Sequence, residues 1–449
     1  MSGVDFWCEH AWFGGDRVES GVHCSVTNGR IGSVHIGVSP PPSARRLHGL
    51  VLPGLANAHS HAFHRALRSR TQRGSGSFWT WRELMYRAAE RLDPGLYHRL
   101  ARAVYAEMAL AGVTVVGEFH YLHHDRGGRP YAEPNAMGLA LVEAAAEAGV
   151  RLTLLDTCYL STSVDGTPLA EGTQQRFGDG DGQRWAERAE DLHRQAKGRA
   201  GVRIGAAVHS VRAVPFEHLG TVAEWAGARH APLHVHCSEQ VTEVEQCLAV
   251  HDRTPTALLR DAGVLGPGTT AVHATHLTGA DVRDLTGTAT GVCFCPTTER
   301  DLGDGIGPAP ALLAGNGPFS LGSDSHAVID LFEEARAVEL NERLAGHRRG
   351  SITAARLLRS ATVDGHRCLG WTDAGQLRAG QRADFVAVDL GSVRTAGGGA
   401  TAENAVFAAS ACDVTDVVVD GRVVVEGRRH VTFGDTAAEL DAVIREVLR

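Results

Sequence analysis

The chain has 449 residues, 43% of them hydrophobic, which is enough to bury one large domain with an accessory domain, or two or three smaller ones. Its formal charge of −8 is spread over both signs without a basic block, which argues against a nucleic-acid partner. No apolar run approaches the roughly 20 residues of a membrane span, and the N-terminal MSGVDFWCEHAWFGG lacks the basic start and apolar run of an export signal.

The nine cysteines are scattered singly except for Cys293-Phe-Cys295, which lacks the second pair of a structural zinc site. A reducing, cytoplasmic compartment is the simplest expectation. In chain order, residues 23–37 (HCSVTNGRIGSVHIG) open with β-rich alternation, matched near the other end by 383–390 (ADFVAVDL) and 414–428 (VTDVVVDGRVVVEGR). Asp420-Gly421 between two alternating runs is a hairpin signal, because this dipeptide tolerates the positive φ of a tight turn. The two terminal runs can pair into one small domain or stand as independent hairpins.

Between them, short apolar runs alternate with helical segments. Strands are expected within 48–57, 112–119, 150–157, 201–210, 231–238, 269–276, 290–296 and 318–325. The Ala- and Leu-rich stretches 96–112 and 134–149 read as helices, the second closed by Gly149 at its C-cap. This α/β pattern fits a (β/α)8 TIM barrel, whose functional residues gather at the C-terminal ends of the strands; a doubly wound open sheet is the alternative. The expected division is a split β-sandwich domain from 1–50 plus 377–432, a barrel over 51–376 and a C-terminal helix over 433–449. Residues 161–185, rich in Gly and Asp, are too long for a plain connector and read as a lid or a solvated insertion.

The histidines fall where such a barrel does its chemistry. His59 and His61 follow strand one, His209 ends strand four, His236 strand five, His273 strand six and Asp324 strand eight. In an extended segment residues i and i+2 point the same way, so His59 and His61 present two imidazoles to one point. Imidazoles with Asp324 make a nitrogen- and oxygen-rich donor set that suits Zn²⁺, and Cys237 would point away from His236.

The segments PGLANAHSH, HVHCSEQ, AVHATH and LGSDS resemble, in chain order, the metal and catalytic segments of the amidohydrolase superfamily, and LRAGQRADFVAVDL resembles the end of its split β-domain. Within it, SFWTWRELMYR, EFHYLHHDRGGRPYAEP and HSVRAV are similar to the formimidoylglutamate deiminases, which hydrolyse N-formimidoyl-L-glutamate to N-formyl-L-glutamate and ammonia. The resemblance implies one Zn²⁺ per subunit, held by His59, His61, His236 and Asp324. Members with two metals bridge them through a lysine at the end of strand four; the only lysine here, Lys197, lies before that strand, so a mononuclear site is expected.

The implied catalytic residues are Asp324, accepting a proton from the attacking water, His273, stabilising the tetrahedral intermediate, and Glu239, handing a proton to the imino nitrogen. Arg82 and Arg212 match the carboxylate-binding positions, with Tyr121 and His209 as hydrogen-bond donors; a guanidinium pairs a carboxylate through its planar fork. Where the family reads HSHAFQRA, this chain has His64, a shorter donor than glutamine, which leaves the acyl part of the substrate open. His123 and His124 read as loop residues. The expected partners are a small dicarboxylate amidine and a second copy in a homodimer, with no nucleic acid and no membrane. An aminohydrolase for a related amidine, guanidino acid or nucleobase is the alternative enzyme, and a non-catalytic barrel is the alternative outside enzymes.

Overall fold

The structure, a computed structural model, describes residues 4–72 and 78–449; Ser77, which opens the SFWTWRELMYR segment, lies outside the described residues. Eight parallel strands follow one another in chain order, Leu55–Ser60, Val113–His120, Arg151–Cys158, Val202–Val208, Leu233–Cys237, Thr269–His273, Gly291–Phe294 and Phe319–Leu321. A parallel bridge between Ser60 and Asp324 brings strand eight back to strand one. The fold is thus the expected (β/α)8 barrel, and the open-sheet alternative falls.

The helices start and stop where local chemistry requires. The helix Pro94–Leu110 opens with proline at its first turn, and the Asp93 carboxylate accepts from the Leu96 N–H at 2.8 Å. The helix Ala136–Ala148 stops at Gly149, whose φ of 74° continues the chain in the left-handed region.

The terminal segments form one separate eight-stranded sheet. They meet where Arg45–Pro53 pairs antiparallel with Phe385–Val388, so the two ends are one unit and not independent hairpins. The expected hairpin joins Val414–Val419 to Arg422–Glu426, with Asp420 at φ 48° and Gly421 at φ 73°. Phe6, Cys8, Val22, Leu47, Phe385 and Val418 fill the interior of this small domain, while Trp12, Leu50 and Leu52 on alternate positions join the barrel's core.

The single strand expected over 48–57 is two strands. Arg45–Pro53 stays in the terminal sheet and Leu55–Ser60 enters the barrel, with the break at Gly54. A Cβ at Gly54 would lie 2.3 Å from Thr114 Oγ1 and 2.8 Å from Asp384 Cβ, so only glycine lets the chain pass between the two sheets. Residue 50, the end of the expected terminal segment, lies inside the first of these strands, and the chain passes from one sheet to the other at Gly54. Buried Arg151 of barrel strand three fastens the domains by donating to Asp384 Oδ1 at 2.9 Å and Asp420 Oδ1 at 3.2 Å.

The C-terminal helix Thr436–Val447 lays Leu440, Val443 and Ile444 against Pro94–Leu110, with Arg99 and Glu446 paired at 2.6 Å. Residues 161–185 are partly packed and partly solvated: Gln174, Arg176 and Phe177 in the 3₁₀ turn Thr173–Phe177 are buried, positions around Asp165 and Glu171 are exposed, and helix Gly182–Ala196 begins within the segment. Among the described residues no helix is long and apolar enough to cross a membrane.

Candidate active site

The C-terminal ends of the barrel strands bring one donor atom each of His59, His61, His236 and Asp324 within 4.8 Å of one another, all buried. His59 Nε2 lies 3.1 Å from His236 Nε2 and 3.3 Å from Asp324 Oδ1, and His61 Nε2 is also 3.3 Å from Asp324 Oδ1. The backbone sets these positions: Asp324 N donates to the His59 carbonyl at 3.0 Å and His61 N to the Asp324 carbonyl at 3.2 Å. Asp324, with φ 43°, and His273, with φ 68°, sit in the left-handed region that non-glycine residues rarely occupy, which turns both side chains inward at the rim.

The donor set fits a divalent cation. His61 Nδ1 donates to the Phe119 carbonyl at 2.9 Å and His236 Nδ1 to the His209 carbonyl at 2.8 Å, so in the neutral rings each Nε2 turns a lone pair to the centre. Burial lowers the basicity of all three imidazoles, His59 to about 3, so the rings stand as neutral donors beside the Asp324 carboxylate. Three neutral nitrogens and one carboxylate result. Ligand atoms of tetrahedral zinc stand about 3.3 Å apart for bonds of about 2.0–2.1 Å, close to the spacing of these pairs. Cys237 contributes nothing, since its thiol turns to Thr256 Oγ1 at 3.3 Å and burial pushes it up to about 12.

His273 and Glu239 stand beside this cluster. His273 Nε2 is 3.8 Å from Glu239 Oε1 and 3.9 Å from Asp324 Oδ2, and its Nδ1 faces Glu299 Oε1 at 3.3 Å. Burial opposes a charge on His273, but the carboxylates of Glu239, Glu299 and Asp324 outweigh it and push the ring well above the usual histidine range. Glu239 Oε2 lies 3.6 Å from Arg212, and Glu243 Oε2 accepts from the Glu239 backbone N–H at 3.0 Å.

A single cavity is lined by His61, His64, Arg82, Tyr121, His209, Arg212, His236, Glu239, His273 and Asp324, so every residue singled out in the sequence except His59 faces it. Tyr86, Tyr159, Phe177, Trp81, Met85 and Leu302 complete the lining. His64 Nε2 lies 2.9 Å from the Tyr121 hydroxyl and its ring stands 4.6 Å from that of His61. His209 Nδ1 contacts Ser210 Oγ at 3.2 Å, and Arg82 Nε donates to the Tyr86 hydroxyl at 2.5 Å. Lys197 caps the helix Gly182–Ala196 on the exterior, away from the end of strand four.

His123 and His124 lie in a loop, as expected, and are buried there: His123 Nε2 donates to the Thr157 carbonyl at 2.9 Å and His124 Nε2 pairs with Asp179 Oδ1 at 3.0 Å. They belong to a network, outside the cavity, in which Arg188 bridges Asp156 and Asp179. Glu243 and Glu299 were missed altogether. Each lies in the first turn of the helix following a site strand and accepts a backbone N–H four residues earlier, Glu239 N for the one and Cys295 N for the other. An acidic residue at that offset from a strand-end residue is the signal that could have found both.

Residues 50–424 match the model of the amidohydrolase family. A formimidoylglutamate deiminase of Pseudomonas aeruginosa is 38% identical over 90% of this chain and 91% of its own length. The solved structure of an amidohydrolase from Brucella melitensis superposes with a TM-score of 0.92 at 33% identity, covering 99% of this chain and all of that one. An adenosine deaminase from Xanthomonas campestris with bound zinc, 24% identical with a TM-score of 0.85 over 99% of this chain and 98% of its own, shares the fold. With its parallel barrel, its split terminal sheet and its rim cluster of three histidines and one aspartate, the chain belongs to the amidohydrolase family.

Proposed function

We propose that this hydrolase of C–N bonds converts N-formimidoyl-L-glutamate and water to N-formyl-L-glutamate and ammonia, with one zinc ion held by His59, His61, His236 and Asp324. The observation that carries the reading is that two arginines, Arg82 and Arg212, line the same cavity as the metal-binding cluster, Glu239 and His273. Two guanidiniums suit a dianionic substrate and argue against an uncharged heterocycle. The 38% identity to the Pseudomonas aeruginosa deiminase supports the same choice.

When bound, zinc supplies a Lewis acid and lowers the pKa of water towards neutrality. The residues do the rest. Arg82 and Arg212 hold the two carboxylates, and His64, Tyr121 and His209 supply further hydrogen bonds. Asp324 takes a proton from the water that attacks the amidine carbon. His273, directed by Glu299, stabilises the negative charge that develops as the tetrahedral centre forms. Glu239 delivers to the terminal nitrogen the two protons that the attacking water gives up, the one taken by Asp324 and the one left on the hydroxyl of the tetrahedral centre, and the C–N bond breaks with release of ammonia.

The test is ammonia release by the zinc-loaded protein from N-formimidoyl-L-glutamate, N-formimidoyl-L-aspartate and the corresponding guanidino acids. The glutamate derivative should have the highest kcat/KM; a better aspartate or guanidino substrate would overturn the assignment. Eight of the nine cysteines are buried and none is in a disulfide, which supports a reducing, cytoplasmic setting. The homodimer is to be checked by sedimentation.

A further inference from the structure

Tyr86 lines the cavity with its phenol oxygen fully committed as an acceptor. It lies on the helix Phe78–Arg91 one turn beyond Arg82, whose Nε donates to its oxygen at 2.5 Å. A second donor comes from the insertion, where Gln174 Nε2 donates to the same oxygen at 2.8 Å. The amide orientation of Gln174 is fixed, because its Oε1 accepts from the Ala170 backbone N–H at 3.0 Å. A guanidinium and this amide NH₂ can only donate, so both lone pairs of the phenol oxygen are used. The hydroxyl proton must point elsewhere, and Tyr86 borders both the site cavity and an outer groove that it shares with Arg87, Glu90 and Thr173, so the proton is left for an acceptor in one of these two spaces.

The insertion is fastened in the position this requires. Arg176, fully buried, donates from Nε to the His124 carbonyl at 2.9 Å, from one terminal nitrogen to the Leu92 carbonyl at 2.7 Å, and from the other to the Ala89 carbonyl. Ala89 and Leu92 lie at the C-terminal end of the helix that carries Arg82 and Tyr86, where unpaired carbonyls attract a cation. In return the Arg176 carbonyl accepts from the backbone N–H groups of His123 and His124 at 3.0 and 2.9 Å. Thr173 Oγ1 adds a bond to Glu90 at 3.0 Å. The turn Thr173–Phe177 is thereby latched to the helix. Burial also pushes the Tyr86 hydroxyl up to about 12, so it stays protonated at neutral pH.

We propose that Tyr86 is a further substrate-binding residue, which donates its hydroxyl proton to the substrate carboxylate held by Arg82, and that Gln174 is the positioning residue that aims it. The proposal rests on the dicarboxylate reading above and assigns the insertion a part in specificity. A phenol with both lone pairs occupied cannot accept from a ligand, so this corner of the cavity selects an anion over an amine or amide N–H donor.

The experiment measures binding of N-formyl-L-glutamate to the zinc-loaded protein by calorimetry, beside turnover of N-formimidoyl-L-glutamate. Tyr86→Phe keeps the ring, and its Tm should stay at the wild-type value. Loss of one hydrogen bond to a charged group should weaken binding and raise KM about 10- to 100-fold, with kcat changed less than about 3-fold. Gln174→Glu, nearly isosteric but an acceptor, should draw the phenol proton to itself and reproduce most of that loss. The penalty of Tyr86→Phe should vanish for one of two analogues, N-formyl-L-glutamine or N-formyl-γ-aminobutyrate, according to which carboxylate Arg82 holds. Unchanged binding in Tyr86→Phe, equal penalties for both analogues, or no binding of N-formyl-L-glutamate by the wild-type protein would overturn the proposal. Absence of ammonia release from N-formimidoyl-L-glutamate by a wild-type protein that binds N-formyl-L-glutamate would sink the deiminase reading alone, and the binding comparison would still decide the role of Tyr86.

Discussion

Replacing Arg212 with methionine removes a guanidinium that two enzyme carboxylates already share. Glu239 Oε2 stands 3.6 Å and Glu243 Oε1 3.7 Å from it. At an effective dielectric constant of about 20, each pair attracts by about 4–5 kcal/mol before desolvation is subtracted. Because the guanidinium is shared with these carboxylates, the loss corresponds to one charge-assisted hydrogen bond of about 1.5–3 kcal/mol rather than a full bidentate pair. That is about 10- to 150-fold in kcat/KM. The loss should appear mainly in KM, because the carboxylate is bound alike in the ground and transition states. Steady-state ammonia release with coupled detection measures both constants. A fall confined to kcat, with KM unchanged, would refute the placement of Arg212 on the substrate carboxylate.

The remaining predictions address separate parts of the structure. Glu299→Gln removes one of the carboxylates that raise His273, so kcat should fall with KM little changed and the alkaline limb of the kcat profile should move to lower pH; a limb that stays in place would contradict the role of Glu299. Asp179, buried beside Arg188 and His124, is held below the usual carboxylate range despite burial, so its contribution to stability is fully present above about pH 4 and is lost as the pH falls through its folded-state value. Asp179→Asn should therefore lower stability at pH 7, by about 3 kcal/mol at the low end for a broken buried pair since Asp156 still faces Arg188, and the deficit should shrink in acid; a pH-independent deficit in urea unfolding would argue against the ion pair. Gly54→Ala, whose Cβ would lie 2.3 Å from Thr114 Oγ1, should cost about 1–3 kcal/mol in the same assay, and an unchanged midpoint would show that the junction yields.

What was legible in the sequence depended on how local each signal is. His59 and His61 share a face because a strand alternates its side chains, and two residues suffice to see it. The barrel strands were legible as apolar runs, but the break at Gly54 was not: it arises from the approach of Thr114 and Asp384, both distant in sequence. His123 and His124 were legible as loop residues, but their burial was not, because Arg188 and Asp179 arrive from another part of the chain. Tyr86 shows the same limit most clearly. Its i, i+4 spacing from Arg82 is local, whereas the second donor, Gln174, comes from an insertion whose packing depends on one buried arginine finding carbonyls at a helix end.

The measurement that tests the central claim most directly is ammonia release from N-formimidoyl-L-glutamate by zinc-loaded and chelator-treated protein, with zinc content determined on the same samples. We expect close to one zinc per chain in the active sample, loss of ammonia release with loss of the metal, and recovery when zinc is restored. Full activity in the metal-free protein, or a zinc-replete protein that releases no ammonia, would contradict the account.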